Sequence, residues 1–208
     1  MTFISSCKKT DKPDNGLSSK INAIISQDVL NDLQNRGMKI NSGHAAPSIE
    51  GIFKFSPTTL RSPYGPSDNY YVGQVVADYK YRFYNQHGDE CNMDFKSEGI
   101  DHGTGYASYL SGEGDKFTLF SQAIGTANGV DYKMVSILSG ELTAGGIKDF
   151  QLAFVLTEKD GDESNDYLMP AGKGRIFYDG DYFSTSTDIY RTTDQHEGGT
   201  KSLLGSGK

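Results

Sequence analysis

The sequence predicts an all-β protein, an eight-stranded antiparallel up-and-down barrel carrying one N-terminal amphipathic helix, with a β-sandwich as the competing arrangement. Three observations point there. Residues 70–85 alternate strictly: Tyr71, Gly73, Val75, Ala77, Tyr79, Tyr81 and Phe83 fall on one side, and Gln74, Asp78, Lys80 and Arg82 on the other. That is the period of a strand with one buried face. The 208 residues include 25 Gly, 13 Tyr and 11 Phe with no Trp, a balance that suits strands and tight turns. The rest of the body repeats short apolar-alternating runs between Gly- and Asn-containing turns, as a meander requires.

Taken in order, residues 1–16 are polar and carry no period. Residues 17–37 form the helix, because Ile21, Ile24, Ile25, Val29, Leu30 and Leu33 recur at three- and four-residue spacing. Ser18 or Ser19 caps its start and Gly37 ends it. The expected place for this helix is one end of the barrel. The barrel domain spans 38–183, with strands at 49–55, 70–85, 91–98, 105–110, 116–124, 130–142, 147–158 and 172–183. Residues 56–69, with Pro57, Pro63 and Pro66, read as a loop. Gly51, Gly73 and Gly140 read as bend points within strands. Eight strands close a tube wide enough for side chains or one small ligand, and closure removes exposed edges. Residues 184–208 read as a disordered tail, or as a short docking element with Ile189 and Tyr190 against the barrel.

The formal net charge of −7 is spread along the chain without a basic block, which argues against a nucleic-acid partner. No apolar run approaches the ~20 residues that span a bilayer as a helix. Cys7 and Cys91 sit in unlike contexts, so a disulfide between them is not expected. Cys91 reads as a small buried apolar residue.

Candidate chemistry is sparse. His87, Asp89, Glu90, Cys91, Asp101 and His102 could meet across one hairpin as zinc-type ligands, yet they follow no metal-site spacing. His44 and His196 stand apart from them. Asp160, Asp162 and Ser164 resemble the start of a calcium loop, but Asn165 and Ala171 occupy the positions of its turn glycine and bidentate Glu. A solvated hairpin tip is the reading preferred there, so no metal site and no cofactor is expected. No Gly-x-Ser-x-Gly elbow, P-loop or His-Glu-x-x-His pair is present, and a non-enzymatic protein is expected. The better functional candidates are aromatic. Phe53, Tyr79, Tyr81, Phe83, Phe117, Tyr132 and Phe154 share the inward parity and would line an apolar cavity with phenolic hydroxyls to orient a ligand. Alternatively they fill the barrel, and outward-facing tyrosines serve for glycan stacking.

Ile4-Ser5-Ser6-Cys7 resembles the lipobox of a bacterial lipoprotein signal, in which the cysteine is the lipid attachment site. On that resemblance residues 1–6 are the remnant of a signal peptide whose charged and apolar regions are expected upstream, and residues 7–16 are a polar tether. Taken with the segments DLQNRGMKINSG leading to PSIEGIF, ILSGELTAGGIKDFQLAFVL and GKGRIFYDGD, the chain resembles uncharacterised envelope lipoproteins of the Bacteroidetes over about residues 4–181. The resemblance implies a lipocalin-like or calycin-like barrel anchored at the outer membrane through Cys7. Gly51-Ile52-Phe53 stands where lipocalins carry Gly-x-Trp, with Phe in place of Trp. The resulting expectation is a lipid-anchored protein that binds a small apolar ligand inside its barrel. The alternative is a surface interaction, adhesion or glycan-binding module with a solid core.

Overall fold

The computed structural model describes residues 15–97, 100–190 and 201–207. The expected lipid attachment site Cys7, most of the tether and His196 lie outside them. The fold is all-β. Two short helices, α1 (Ser19–Ile24) and α2 (Gln27–Asn35), precede eleven strands. These are β1 (His44–Ala45), β2 (Gly51–Phe55), β3 (Thr58–Ser62), β4 (Tyr79–His87), β5 (Glu90–Ser97), β6 (Asp101–Glu113), β7 (Lys116–Ala127), β8 (Val130–Thr143), β9 (Gly146–Lys159), β10 (Gly174–Asp179) and β11 (Phe183–Thr185).

From β4 to β10 each strand pairs antiparallel with the next, and the sheet curls until its two ends nearly meet. Closure comes from two divided strands. The first runs as β2 and then β3 around Ser56-Pro57; its first half pairs β4 and its second half pairs β10. The last runs as β10 and then β11, both on β9, and Ser186 pairs with Phe53 of β2. Ten of the strands thus occupy eight positions around the ring, and β1, the eleventh, is added in parallel at the edge of β6. The girth is the one expected from the sequence, and the difference in count comes from these two breaks and from β1.

The helical region departs from the expected single helix. Ile25 is extended (φ −137°), and the Ser26 hydroxyl accepts the Val29 N–H, starting α2 afresh. The expected caps are present: Ser18 accepts the Ile21 N–H, and Gly37 (φ +101°) follows α2 while Met38 N–H donates to Leu33 O at 2.9 Å. The helices do not close an end of the barrel. Ile21, Ile25, Leu30 and Leu33 instead pack on its outer wall against Phe120, Val135, Ile137, Ala153 and Ile176, a second apolar core outside the sheet. Arg36 fixes the far end of α2 by donating to Pro63 O and Gly174 O.

The stretch 70–85 is only half strand. Tyr71 is 69% exposed and Gly73 sits in a turn at φ +85°. Residues 73–76 run beside β3, with Leu60 N–H donating to Gln74 O and Gly73 N–H to Leu60 O, both at 2.8 Å. The reason is the Asp68 carboxylate, which accepts the N–H groups of Tyr64 and Tyr70 and binds the sequence-remote Arg175, turning this segment across the barrel end and burying Tyr70 instead of Tyr71. The region read as a proline-containing loop accordingly contains β3. Nor is the described part of the tail loose. Residues 183–185 are β11, Tyr190 lies between Arg82 and Lys96 at 4.6 and 4.2 Å, and residues 202–204 are buried.

Phe150 stands at the centre of the barrel core, with ring centroids 5.2 Å from Phe55, 5.9 Å from Tyr81 and 6.4 Å from Phe117. Phe150→Ala is expected to lower the unfolding free energy by about 3–5 kcal/mol, since the surrounding rings belong to opposite walls and cannot collapse into the gap. Urea unfolding followed by near-ultraviolet circular dichroism measures it.

Candidate functional site

All seven residues predicted to line a cavity are brought together in one buried cluster, as packing partners of one another. Tyr81 is the hub. Its ring stacks at 6.4 Å on Tyr79, 6.4 Å on Phe83 and 5.9 Å on Phe95, and meets Phe55 and Phe150 edge-on. Phe53 lies 6.0 Å from Phe83, Phe117 tilts against Phe150, and Phe154 stacks on Phe177 at 6.2 Å. Glycine makes the space for two of these rings. A Cβ on Gly103 would fall 2.4 Å from the Phe95 ring, and one on Gly125, its partner in register, 2.5 Å from the Tyr132 hydroxyl. Gly51 and Gly140 lie in strands as read from the sequence, whereas Gly73 lies in a turn.

Two of the phenols converge on Asp101. Tyr79 donates to its Oδ2 and Tyr132 to its Oδ1, each at 2.8 Å. Burial pushes the Asp101 carboxyl up to about 6, against the opposing pull of the two hydroxyls. Burial, followed by the charge of Asp101, holds both phenols well above 10. The zinc-type grouping does not assemble. Asp101 points into the core while His102, next along the strand, is exposed outside. Cys91 is buried, as read from the sequence, its thiol raised to about 11 by burial. His44 and His87 are exposed, and among the described residues no three His, Cys, Asp or Glu side chains lie close enough to hold a metal.

The acidic loop is solvated at Asp160 and Ser164, as expected, but not at Asp162. Asp162 is buried, receives the N–H groups of Asp166, Tyr167 and Leu168, and pairs with Lys159 at 2.7 Å. Desolvation would raise its pKa, but these donors outweigh it and hold the carboxyl down at about 2. Hydrophobic periodicity carries no signal for such a pair, since both partners are polar.

A second buried pair, also missed by the sequence reading, closes the same end of the barrel. Arg175 donates Nε and Nη2 to the two carboxylate oxygens of Asp68, and both side chains are fully buried. The guanidinium lies 3.8 Å from the Tyr70 ring centroid, and its Nη1 donates to Leu203 O and Gly205 O. Burial alone would raise the Asp68 pKa; the bonds from Arg175, Tyr70 and Tyr64 prevail and keep it below the usual range. The alternating register of Gly174–Asp179 gave no hint that an arginine would sit there uncovered by water.

On its outer face the barrel carries a concave groove of about 770 Å³, lined by residues of β6, β7, β8 and β9 near the 127–130 and 159–172 connections. Thr104, Ile124, Thr126, Asp131 and Lys133 contribute from adjacent register positions, with His102 and Asp160 at the rim. Ile124 is 44% exposed, and Tyr106, also exposed, on β6, lies outside the residues that line the groove. Thr126 donates to Asp131 at 2.6 Å, and Lys133 pairs with Glu158 at 2.6 Å. The groove therefore joins an apolar floor to a rim of hydroxyl, carboxylate and ammonium groups held in fixed positions.

Comparison with protein-family models, with curated proteins and with solved structures finds no match to this chain.

Asp101 makes stability depend on pH. In the unfolded chain its carboxyl loses its proton near pH 4, whereas in the folded protein it keeps it to about 6. Between those values the folded state binds the extra proton, so this group's contribution falls as pH rises from about 4 to about 6, by about 3 kcal/mol in all, and is constant above. Asp101→Asn removes that slope. Urea unfolding of both proteins from pH 4 to pH 7 should show the variant gaining about 3 kcal/mol relative to wild type over this range.

Proposed function

We propose that this chain is a non-enzymatic, lipid-anchored protein of the bacterial envelope that works as a surface module, binding a glycan in the outer groove of a solid barrel. The observation that carries this reading is the burial of the seven inward rings in one core cluster, together with the β6–β9 groove, an outer concavity with apolar and polar groups side by side. A sugar ring offers an apolar C–H face and a circumference of hydroxyls. Ile124 suits the first, and Asp131, Glu158, Thr126 and His102 the second. The paired carboxylates and lysine already share hydrogen bonds, so they can accept and donate to hydroxyls without an uncompensated charge being buried. The anchor rests on the lipobox-like setting of Cys7, and no helix among the described residues is long and apolar enough to cross a membrane.

Both parts are testable. A glycan array probed with the wild-type protein should give hits that Ile124→Ala and Asp131→Asn each weaken at least about tenfold, one good hydrogen bond or apolar contact being worth that much. Glycan binding by neither protein, together with an apolar molecule co-purifying in native mass spectrometry, would restore the interior-carrier reading. For the anchor, the chain expressed behind a complete lipoprotein signal should incorporate an alkyne fatty acid, and Cys7→Ala should not.

A further inference from the structure

Residues 201–207 are seated in the barrel end as a ligand is seated in a receptor. The sheet ring from β2 through β4 to β10 and β3 is complete without them, and Gly205 contributes one ladder pair, to Leu168. Their main chain is read by side chains prepared for it. Arg175 Nη1 donates to Leu203 O at 2.8 Å and to Gly205 O at 2.9 Å, Tyr70 donates to Ser202 O at 2.8 Å, and Asn69 to Ser206 O at 3.2 Å. Main-chain groups of the receptor take part too, through Ala77 N–H to Lys201 O, Met169 N–H to Leu204 O, and Ser206 N–H to Tyr167 O. Leu203 N–H donates to the Tyr79 hydroxyl, the same group that holds Asp101. Leu203 and Leu204 are buried in the core, at 3% and 1% exposure.

The receptor side is organised independently of this segment. Arg175 is oriented by Asp68, and Asp68 in turn by the N–H groups of Tyr64 and Tyr70. An arginine so placed, deprived of its two carbonyls, would leave a buried donor unsatisfied, so exchange of one peptide for another is favoured over vacancy. We propose that the barrel end around Arg175, Asp68, Asn69 and Tyr70 is a peptide-binding site for short segments of the type small–Leu–Leu–Gly–small, and that residues 201–207 are its tethered occupant. Recognition runs through peptide carbonyls for affinity and through two leucine pockets for selection, the division of labour common to grooves that read extended peptides. Because the occupant belongs to the same chain its binding is intramolecular, so a separate peptide competes poorly with it.

The test uses the full chain and a fluorescent synthetic peptide of residues 201–208. Leu203→Asp combined with Leu204→Asp dislodges the occupant. This variant should bind the wild-type peptide, and should ignore a peptide carrying the same two aspartates. The wild-type chain should bind it at least about 100-fold more weakly, because its own segment competes. A variant that retains the β-sheet circular dichroism of wild type yet does not bind the peptide overturns the proposal. Should the variant fail to fold, hydrogen exchange of the wild-type chain decides. Collective exchange of the 203–206 amides by an opening that leaves β7–β9 protected supports the proposal, and exchange only at the rate of those strands overturns it.

Discussion

A tube of eight strands has a girth fixed by strand number and tilt, and its interior must be either filled or hydrated. Here it is filled with six-membered rings. Tyr81 touches Phe55, Tyr79, Phe83, Phe95 and Phe150, so side chains from β2, β4, β5 and β9 are tied through one residue. That filling sets the conditions for everything else. Rings of this size leave room for only the smallest cross-strand partners, which is why Gly103 stands opposite Phe95 on the neighbouring strand and Gly125 opposite Tyr132. It also pushes the two phenols that need a hydrogen-bond partner toward the barrel end, where one carboxyl serves both.

The wall is apolar on both faces where α1 and α2 lie. Leu119, Leu138, Leu152 and Phe177 face the lumen, while Phe120, Ile137, Ala153 and Ile176 face the helices. Burying both sides of β7 to β10 is unusual for an antiparallel sheet and explains the near-continuous apolar run in β9. Two buried charge pairs lie at the end holding Arg175, Asp68, Lys159 and Asp162, where each charge is paired and further hydrogen-bonded. Such pairs contribute little net stability compared with an apolar filling, but they restrict the loops to one arrangement.

Much of this arrangement was legible in the sequence. The strands from 91 to 158 and the inward parity of the seven rings follow from alternation and turn residues, and the register places all seven in one cluster. What alternation does not encode is breakage. Ile25 and Ser26 fit a continuous helix by periodicity, and only the competing cap at Ser26 divides it. Tyr71 and Val75 have the parity of core residues but lie outside, because the Asp68–Arg175 pair, remote in sequence, dictates the path of residues 64–76. Residues 202–206 carry too few apolar side chains to announce a buried segment, their hold being through carbonyl oxygens that every sequence possesses. The groove was invisible for a different reason: it is assembled from exposed positions of four strands whose curvature, not composition, makes them concave.

The barrel has two unlike ends. Gly16 approaches Ser42, beside the pairing of His44 with Gly112 at the β6–β7 connection, so the described chain enters where β4–β5, β6–β7 and β8–β9 turn. The groove and the seated segment 201–207 lie by the opposite set of connections. The proposed binding surfaces are thereby separated by a strand length from the point where the described chain enters the barrel, so whatever holds the chain there leaves them uncovered.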